Sequence, residues 1–153
     1  HLSITKERLE GYRQALEKNG LPYNEKLIQY CYHGGMIYAE IEEAIGRLLK
    51  GEQRPDAILT ASDRITTSCL AALKQLGVKV PGDMAVIGFT NTNIADLLNP
   101  PLSAVRQPAF EMGQVATEML ISIIESKRPV SDFETRVLET ELFVRDSSEK
   151  IGK

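Results

Sequence analysis

The chain has 153 residues, with 18 Lys and Arg against 21 Asp and Glu, so its formal net charge at pH 7 is −3. Its 42% hydrophobic and 25% charged residues are ordinary for a globular protein and sufficient for one sizeable core. The mild acidity argues against nucleic-acid binding by this chain alone, because phosphate contacts need a basic face. No apolar run approaches the roughly 20 residues of a membrane span.

The cysteine usage favours a cytoplasmic protein. Cys31 and Cys69 form no Cys-x-x-Cys pair and are too few for a disulfide framework, which favours a reducing compartment. The segment 1–8 lacks the apolar centre of a secretory signal peptide.

Helical periodicity alternates with short apolar runs up to residue 89. The runs 57–61 and 84–89 are apolar throughout, which is typical of parallel strands buried on both faces. We therefore predict an α/β fold in which helices flank a doubly wound parallel sheet. In chain order the predicted elements are a helix with Leu9, Tyr12 and Leu16 on one face that ends at Gly20, a strand over 27–32, a helix from Ile37 to Leu49 that ends at Gly51, a strand over 57–61, a helix from Ile65 to Leu76 that ends at Gly77, and a strand over 84–89.

The last third of the chain is less regular. It opens with one or two helical turns over 94–98 and a short strand over 102–106. Pro108 suits the first turn of a helix that runs to Glu125 with a broad apolar face, and Pro129 ends it. A final strand over 135–145 and a frayed tail over 147–153 complete the prediction.

Two features predict that the chain is part of a larger fold. It opens on a helix with no preceding strand. The helix 108–125 also needs a sheet to cover its wide apolar face.

Polar residues follow each predicted strand. Ligands of open parallel sheets bind beyond the carboxyl ends of the strands, so we expect a small-molecule site there. Hydroxyl and amide groups suit a polyhydroxylated or amide-bearing ligand, and helix N-termini add free N–H donors. The strand-end residues are His33-Gly34-Gly35-Met36, Ser62-Asp63-Arg64, Thr90-Asn91-Thr92-Asn93 and Gln107.

Each of these positions also has a structural interpretation. Ser62 or Asp63 is suited to cap the following helix. Asn91 and Asn93 are typical turn residues, and Gly34-Gly35 is suited to a turn between strand and helix.

Catalytic and metal-binding signals are weak. The sequence has no nucleophile elbow, Walker A loop, dinucleotide fingerprint or His-Glu-x-x-His motif. Cys31 and His33 alone do not make a metal site, and Cys69 lies on a helix face that predicts a core position. We therefore predict no catalytic residue, metal or cofactor. An α/β enzyme that uses His33 or Asp63 is the competing hypothesis.

Taken together, these segments resemble the sugar-sensing core of lactose-repressor-type (LacI/GalR) transcription regulators. The matches run in order over nearly the whole chain and are specific as a set. They are Arg8-x-x-Gly11-Tyr12-x-x-Ala15-Leu16, the segments 55–63 and 71–89, Pro101-Leu102-Ser103-Ala104-Val105-Arg106-Gln107-Pro108 with Met112-Gly113 and Ala116, and the segment 141–148.

The resemblance implies a periplasmic-binding-protein-like (type I) core with a ligand between two subdomains. Residues 1–107 correspond to the C-terminal effector-binding subdomain, and 108–127 to a helix that belongs to the N-terminal subdomain in the family. Residues 128–146 return as the final strand, and 147–153 are expected to form a flexible tail. The DNA-binding helix-turn-helix has no counterpart in this chain.

The resemblance also implies ligand contacts. Three positions depart from the family pattern: Ser62 stands where Asn is frequent, Thr90 where many members have Asp, and Met36 near a ring-stacking aromatic residue. These changes remove a strong acceptor and weaken stacking on a sugar ring, so we expect a ligand other than a common hexose or a degenerate site. The implied ligand contacts are Arg8, Met36, Ser62, Asp63, Thr90 and Gln107.

A homodimer is the further implication. The helix from Asp63 and the segment 94–98 match the dimer surface of the family, with Ile65, Leu97 and Leu98 as apolar contacts. Packing within the chain is the alternative interpretation of these three residues.

The leading hypothesis is an effector-sensing part of a cytoplasmic repressor, in which a small molecule changes DNA affinity by favouring one of two states. The alternative is a periplasmic sugar-binding protein of a transport system. We expect the isolated chain not to bind operator DNA.

Overall fold

The computed structural model describes residues 3–126 and 134–149. Two short 3₁₀ turns, Glu25–Leu27 and Ala95–Leu97, accompany the helices and strands. The helices are α1 (Ser3–Lys18), α2 (Tyr38–Lys50), α3 (Asp63–Gln75) and α4 (Ala109–Glu125), and the strands are β1 (Ala57–Thr60), β2 (Ala85–Phe89), β3 (Ser103–Arg106) and β4 (Glu141–Phe143).

The described strands form one sheet in the order β1-β2-β3-β4. β1, β2 and β3 run parallel, and β4 pairs antiparallel with β3. The predicted α/β class is confirmed, and β2 is largely buried as predicted. The prediction that the run 57–61 is buried on both faces is wrong, because β1 is the edge strand of the described sheet and Leu59 is 53% exposed. Because β1, β2 and β3 point the same way, their carboxyl ends meet at one edge of the sheet.

The core lies where α2 and α3 pack against this sheet. Ile41 and Leu73 from the helices and Val86 from β2 are almost wholly buried there. Cys69 is 1% exposed, so its predicted core position is confirmed, and burial raises the pKa of its thiol to about 12. Gly88 of β2 lets α3 approach closely: a Cβ at this position would stand 2.7 Å from Thr66 Cγ2.

The prediction of a strand over 27–32 is wrong. The 3₁₀ turn Glu25–Leu27 takes its start, and no strand follows before α2. A β-prone segment becomes a strand only when a neighbouring strand pairs with its N–H and C=O groups. In the described sheet β1 is the edge, and its one partner is β2.

Near the end of the chain, the last strand is shorter than predicted, and the segment around Ser147 is more buried than predicted. Of the predicted strand 135–145, only Glu141–Phe143 pairs with β3. The prediction of a flexible tail from residue 147 is wrong at its start: Ser147 is fully buried, accepts a bond from Ser103 N–H at 2.8 Å and donates to Val86 O at 2.7 Å. The rest of the predicted tail beyond residue 149, and the predicted helix end at Pro129, lie outside the described residues.

The predicted helix over 108–125 is confirmed as α4, and it buries none of its residues. Phe110 is 80% exposed and Ile124 70% exposed, so its apolar face is uncovered. No helix within the described ranges has the length and apolar character needed to cross a bilayer.

Candidate functional site

Residues that follow β1, β2 and β3 lie together at the carboxyl-end edge, the name used below for the surface formed by Ala61–Asp63, Thr90–Asn91 and Gln107. α1 brings Arg8 to the same edge. The Arg8 guanidinium donates a short hydrogen bond to Ala61 O and stacks 4.0 Å from the centre of the Phe89 ring. Burial lowers the pKa of Arg8 below its ordinary value. Stacking and the bond to Ala61 fix the direction in which the remaining N–H donors of Arg8 point.

Ser62 and Asp63 form the start of α3. The Ser62 hydroxyl accepts from Ile65 N–H at 3.4 Å, so the interpretation of Ser62 as the helix cap is confirmed. The Asp63 carboxylate turns to β2 instead: its Oδ1 accepts a short bond from the Thr90 hydroxyl and another from Asn91 N–H at 2.9 Å. Asp63 therefore holds the loop that follows β2, and one of its two oxygens is committed to that loop.

Thr90 is 1% exposed, and its hydroxyl is engaged by Asp63. Thr92 N–H also donates to the Thr90 hydroxyl at 3.1 Å. A ligand at the carboxyl-end edge would therefore meet Asn91, which is exposed, before Thr90.

Asn91 connects the ends of β2 and β3. Its Nδ2 donates to Gln107 O at 2.9 Å, and its Oδ1 accepts from Gln107 N–H at 2.8 Å. Both bonds use the backbone of Gln107, which leaves the Gln107 side-chain amide available to a ligand. Asn91 belongs to the predicted strand-end residues but was not among the implied ligand contacts, because the sequence does not show where its amide points.

Met36 lies in a loop that packs against the start of α3. Gly35 has a φ of +86°, and a Cβ there would stand 3.0 Å from Arg64 Cβ. This close approach places the loop beside Asp63. Met36 itself is 69% exposed and is free to contact a ligand.

Glu40 of α2 anchors the same loop. Its Oε1 accepts from Tyr32 N–H at 2.6 Å, its Oε2 accepts from His33 N–H at 3.2 Å, and His33 Nδ1 lies 3.6 Å from Oε2. Burial alone would raise the pKa of Glu40, but the Tyr32 and His33 N–H groups and the His33 imidazole lower it below its ordinary value. The loop conformation therefore depends on an ionised carboxylate.

A groove of about 480 Å³ opens beside Gln107. Arg106 lines it, stacks 4.9 Å from the centre of the Phe143 ring, and has a buried Nε with no hydrogen-bond partner among the described residues. The sequence indicated Arg106 only as part of a strand, because nothing in the pattern shows which face it occupies. The groove is lined by Asn91, Asn93, Arg106, Gln107, Pro108, Ala109, Phe110 and Glu111.

The arrangement gives the enzyme hypothesis no catalytic pair. His33 is paired with Glu40, and Asp63 Oδ1 is held by the loop after β2. Over residues 3–126 and 134–149, no group of three or more His, Cys, Asp and Glu side chains is arranged to hold a metal ion.

The three predicted dimer contacts differ in exposure. Leu97 is 82% exposed, so it is open to a partner. Ile65 and Leu98 are partly buried against the core, which supports the alternative interpretation for these two residues.

Comparison with known proteins agrees with this architecture. The family model of the periplasmic binding protein-like domain matches residues 1–148. The chain is 32% identical over 148 residues to the ribose operon repressor of Haemophilus influenzae, covering 95% of this chain and 42% of that protein. It is 37% identical over 143 residues to the HTH-type transcriptional regulator CelR of Thermobifida fusca, covering 92% of this chain and 40% of that protein.

A solved structure described as the transcriptional regulator CelR-cellobiose complex superimposes with a TM-score of 0.80 and 34% identity, covering 93% of this chain and 42% of that one. These relatives are transcription regulators, not enzymes. This chain spans about two fifths of their length. The sequence match, the α/β sheet and the structural superposition together show that the chain belongs to the periplasmic-binding-protein-like domain family, in the form found in LacI/GalR transcription regulators.

Proposed function

We propose that this chain is the part of a LacI/GalR-type transcriptional regulator that binds a small-molecule effector at the carboxyl-end edge. One observation carries the proposal: Arg8, Asp63, Asn91 and Gln107, which come from four separate segments, meet where parallel sheets bind ligands. The family membership supports it, since these folds use loops at strand ends to hold ligands.

The ligand is a sugar or a related polar molecule. The guanidinium of Arg8, the hydroxyl of Ser62 and the side-chain amide of Gln107 offer hydrogen bonds of the kind that sugar hydroxyls make. Two relatives, a ribose operon repressor and a CelR-cellobiose complex, point to the same class of ligand. With Met36 in place of an aromatic ring, a ligand that depends on stacking is disfavoured.

Regulation follows from differential binding. A ligand that lies between this chain and a second subdomain favours the relative orientation in which both subdomains contact it. Operator DNA is then contacted by a helix-turn-helix outside this chain, in a cytoplasmic homodimer whose surface includes Leu97. A periplasmic sugar-binding protein of a transport system is the second candidate, favoured by the match of residues 1–148 to the periplasmic binding protein-like domain. The gene sequence upstream of this chain separates the two: a helix-turn-helix supports a regulator, and a secretory leader supports a transport protein.

The direct test is calorimetric titration of the natural full-length protein with ribose, cellobiose and cytidine. We expect at least one to bind, and Arg8→Ala to weaken that binding by roughly tenfold to a hundredfold, because hydrogen bonds to a charged group are lost. Arg13→Ala is the matched control, since Arg13 lies on the same helix but is paired with Glu10. Binding that is undiminished by Arg8→Ala would reject the proposed site.

A further inference from the structure

The side chain of Asn91 acts as an additional peptide group between β2 and β3. The last backbone bond of this strand pair is Thr90 N–H to Val105 O at 3.1 Å. In a regular parallel pair, the next bonds would join Gln107 N–H to Thr90 O and Thr92 N–H to Gln107 O. Here Thr92 N–H donates to the Thr90 hydroxyl instead, and the Asn91 side-chain amide bonds both the N–H and the C=O of Gln107.

The residue type explains this substitution of side chain for backbone. An amide carries a neutral donor and a neutral acceptor on one planar group, as a peptide bond does, whereas an ionised carboxylate is an acceptor only. Asn is short enough to reach Gln107 across one strand spacing of about 4.8 Å. The two bonds, at 2.8 and 2.9 Å, have normal lengths.

The two hydrogen bonds between the Asn91 side chain and the Gln107 backbone lie where the chain leaves the sheet. β3 ends at Arg106, and α4 begins two residues after Gln107. Gln107 O also accepts from Ala109 N–H at 2.8 Å, so the same carbonyl contacts both Asn91 and the first turn of α4. Because α4 buries none of its residues, it has little packing to set its direction, and the bonds at Gln107 lie directly before its start.

We propose that Asn91 is a positioning residue that fixes the backbone of Gln107 and, through it, the direction in which α4 leaves the sheet. Asp63 also contributes to this positioning, because its carboxylate accepts a hydrogen bond from the backbone N–H of Asn91. The consequence for effector binding rests on the proposed function: movement of the loop after β2 on ligand binding would be passed to α4 through this one side chain.

The test measures amide hydrogen exchange of the 153-residue chain by NMR at pH 7 in Asn91→Ala and Asn91→Asp. The Ala variant removes both bonds, and we expect the Gln107 N–H to exchange about tenfold faster, the effect of losing one hydrogen bond. The Asp variant keeps the acceptor, so the exchange of Gln107 stays within about twofold of the parent. The control is Asn19→Ala, which removes an exposed side-chain bond to Ala15 O at the far end of α1 and leaves Gln107 unchanged.

A second measurement follows α4 itself. We expect residual dipolar couplings of α4 and of the sheet to fit one orientation in the parent chain and to diverge in both Asn91 variants, since both variants lose the donor to Gln107 O. If Asn91→Ala does not fold, the couplings of Asn91→Asp decide. Unchanged exchange of Gln107 in a folded Asn91→Ala, or unchanged α4 couplings in Asn91→Asp, would overturn the proposal. Failure of every sugar to bind the parent protein would overturn the proposed function alone, because neither measurement uses a ligand.

Discussion

The role of the Asp63 carboxylate in the structure differs from both roles that the sequence suggested. The resemblance implied a ligand contact, and helix patterns indicated a cap, but one of its oxygens is bonded to the Thr90 hydroxyl and to Asn91 N–H. Since Thr90 is buried, loss of this carboxylate leaves the Thr90 hydroxyl proton without its acceptor. Asp63 therefore stabilises the carboxyl-end edge whether or not it also contacts a ligand.

Replacement of Asp63 tests this role. We expect Asp63→Ala to lower the free energy of unfolding by about 1–3 kcal/mol, the penalty for a buried polar group left unpaired. Asp63→Asn keeps an acceptor oxygen and is expected to lose less than half of that. Urea unfolding followed by circular dichroism measures both, and equal stability of the Ala and parent proteins would contradict the assignment.

The carboxylate of Glu40 predicts a pH dependence. Because its pKa is lowered in the folded chain, its contribution is fully present above the unfolded value of about 4.3 and is lost as pH falls through the lower folded value. Glu40→Gln is expected to flatten this part of the curve of unfolding free energy against pH. Glu42→Gln, on the same helix and exposed, is the control. A parent protein whose curve matches that of Glu40→Gln between pH 3 and 6 would refute the role of Glu40.

The sequence predicted which residues gather at the carboxyl-end edge but not how they are used. Position after a predicted strand was enough to bring Asp63, Asn91 and Gln107 together, because parallel strands end at one edge. The hydrogen bonds that consume Asp63 Oδ1 and the Asn91 amide depend on loop geometry, which has no periodic signal. For the same reason, the buried Nε of Arg106 was not foreseen.

At the scale of elements, the contact between β2 and α3 depends on one glycine. A Cβ at Gly88 would stand 2.7 Å from Thr66 Cγ2 and 2.9 Å from Thr90 Cγ2. Both neighbours are buried and β-branched, so neither moves aside easily. The strand and the helix are therefore matched in shape at this point.

Two glycine substitutions with opposite expected effects test the packing. We expect Gly88→Ala to lower the free energy of unfolding by about 1–3 kcal/mol through overpacking. Gly46→Ala, inside α2 with nothing within 4 Å of the new Cβ, is expected to raise it by about 0.5–1 kcal/mol. Thermal and urea unfolding of the two variants give the comparison. A neutral Gly88→Ala would contradict the close approach.

Helices were predicted better than strands, and the difference has a physical cause. The apolar periodicity of α2 and α3 records burial of one face within the helix itself. A strand also needs a partner, and residues 27–32 have β-prone side chains but no neighbouring strand in the described sheet. The polar residue Ser147 was assigned to a tail because its buried bonds to Ser103 and Val86 join segments far apart in sequence.

Ser147 provides a test of this last attachment. We expect Ser147→Ala to lower the free energy of unfolding by about 1–3 kcal/mol, because Ser103 N–H and Val86 O lose a buried partner. Glu149→Ala, which changes an exposed residue nearby, is the control. Equal unfolding midpoints of the Ser147 and Glu149 variants would show that the segment is not part of the core.

At the scale of the whole molecule, one part of the chain forms a buried core and another part exposes an apolar surface. The face of the sheet against α2 and α3 is a closed core, whereas α4 presents an apolar side to solvent, with Phe110 and Ile124 as its most exposed large hydrophobic residues. The chain spans about two fifths of its curated relatives. This division agrees with the proposed function, in which the ligand lies between this chain and a second subdomain.

The most direct test of this account is hydrogen–deuterium exchange of the natural full-length protein, with and without the sugar that gives the largest heat in the calorimetric panel. The account predicts protection concentrated in the peptides that contain Arg8, Ser62-Asp63, Asn91 and Gln107. Protection that instead appears around α2 and the turn Glu25–Leu27, with these four peptides unchanged, would contradict it.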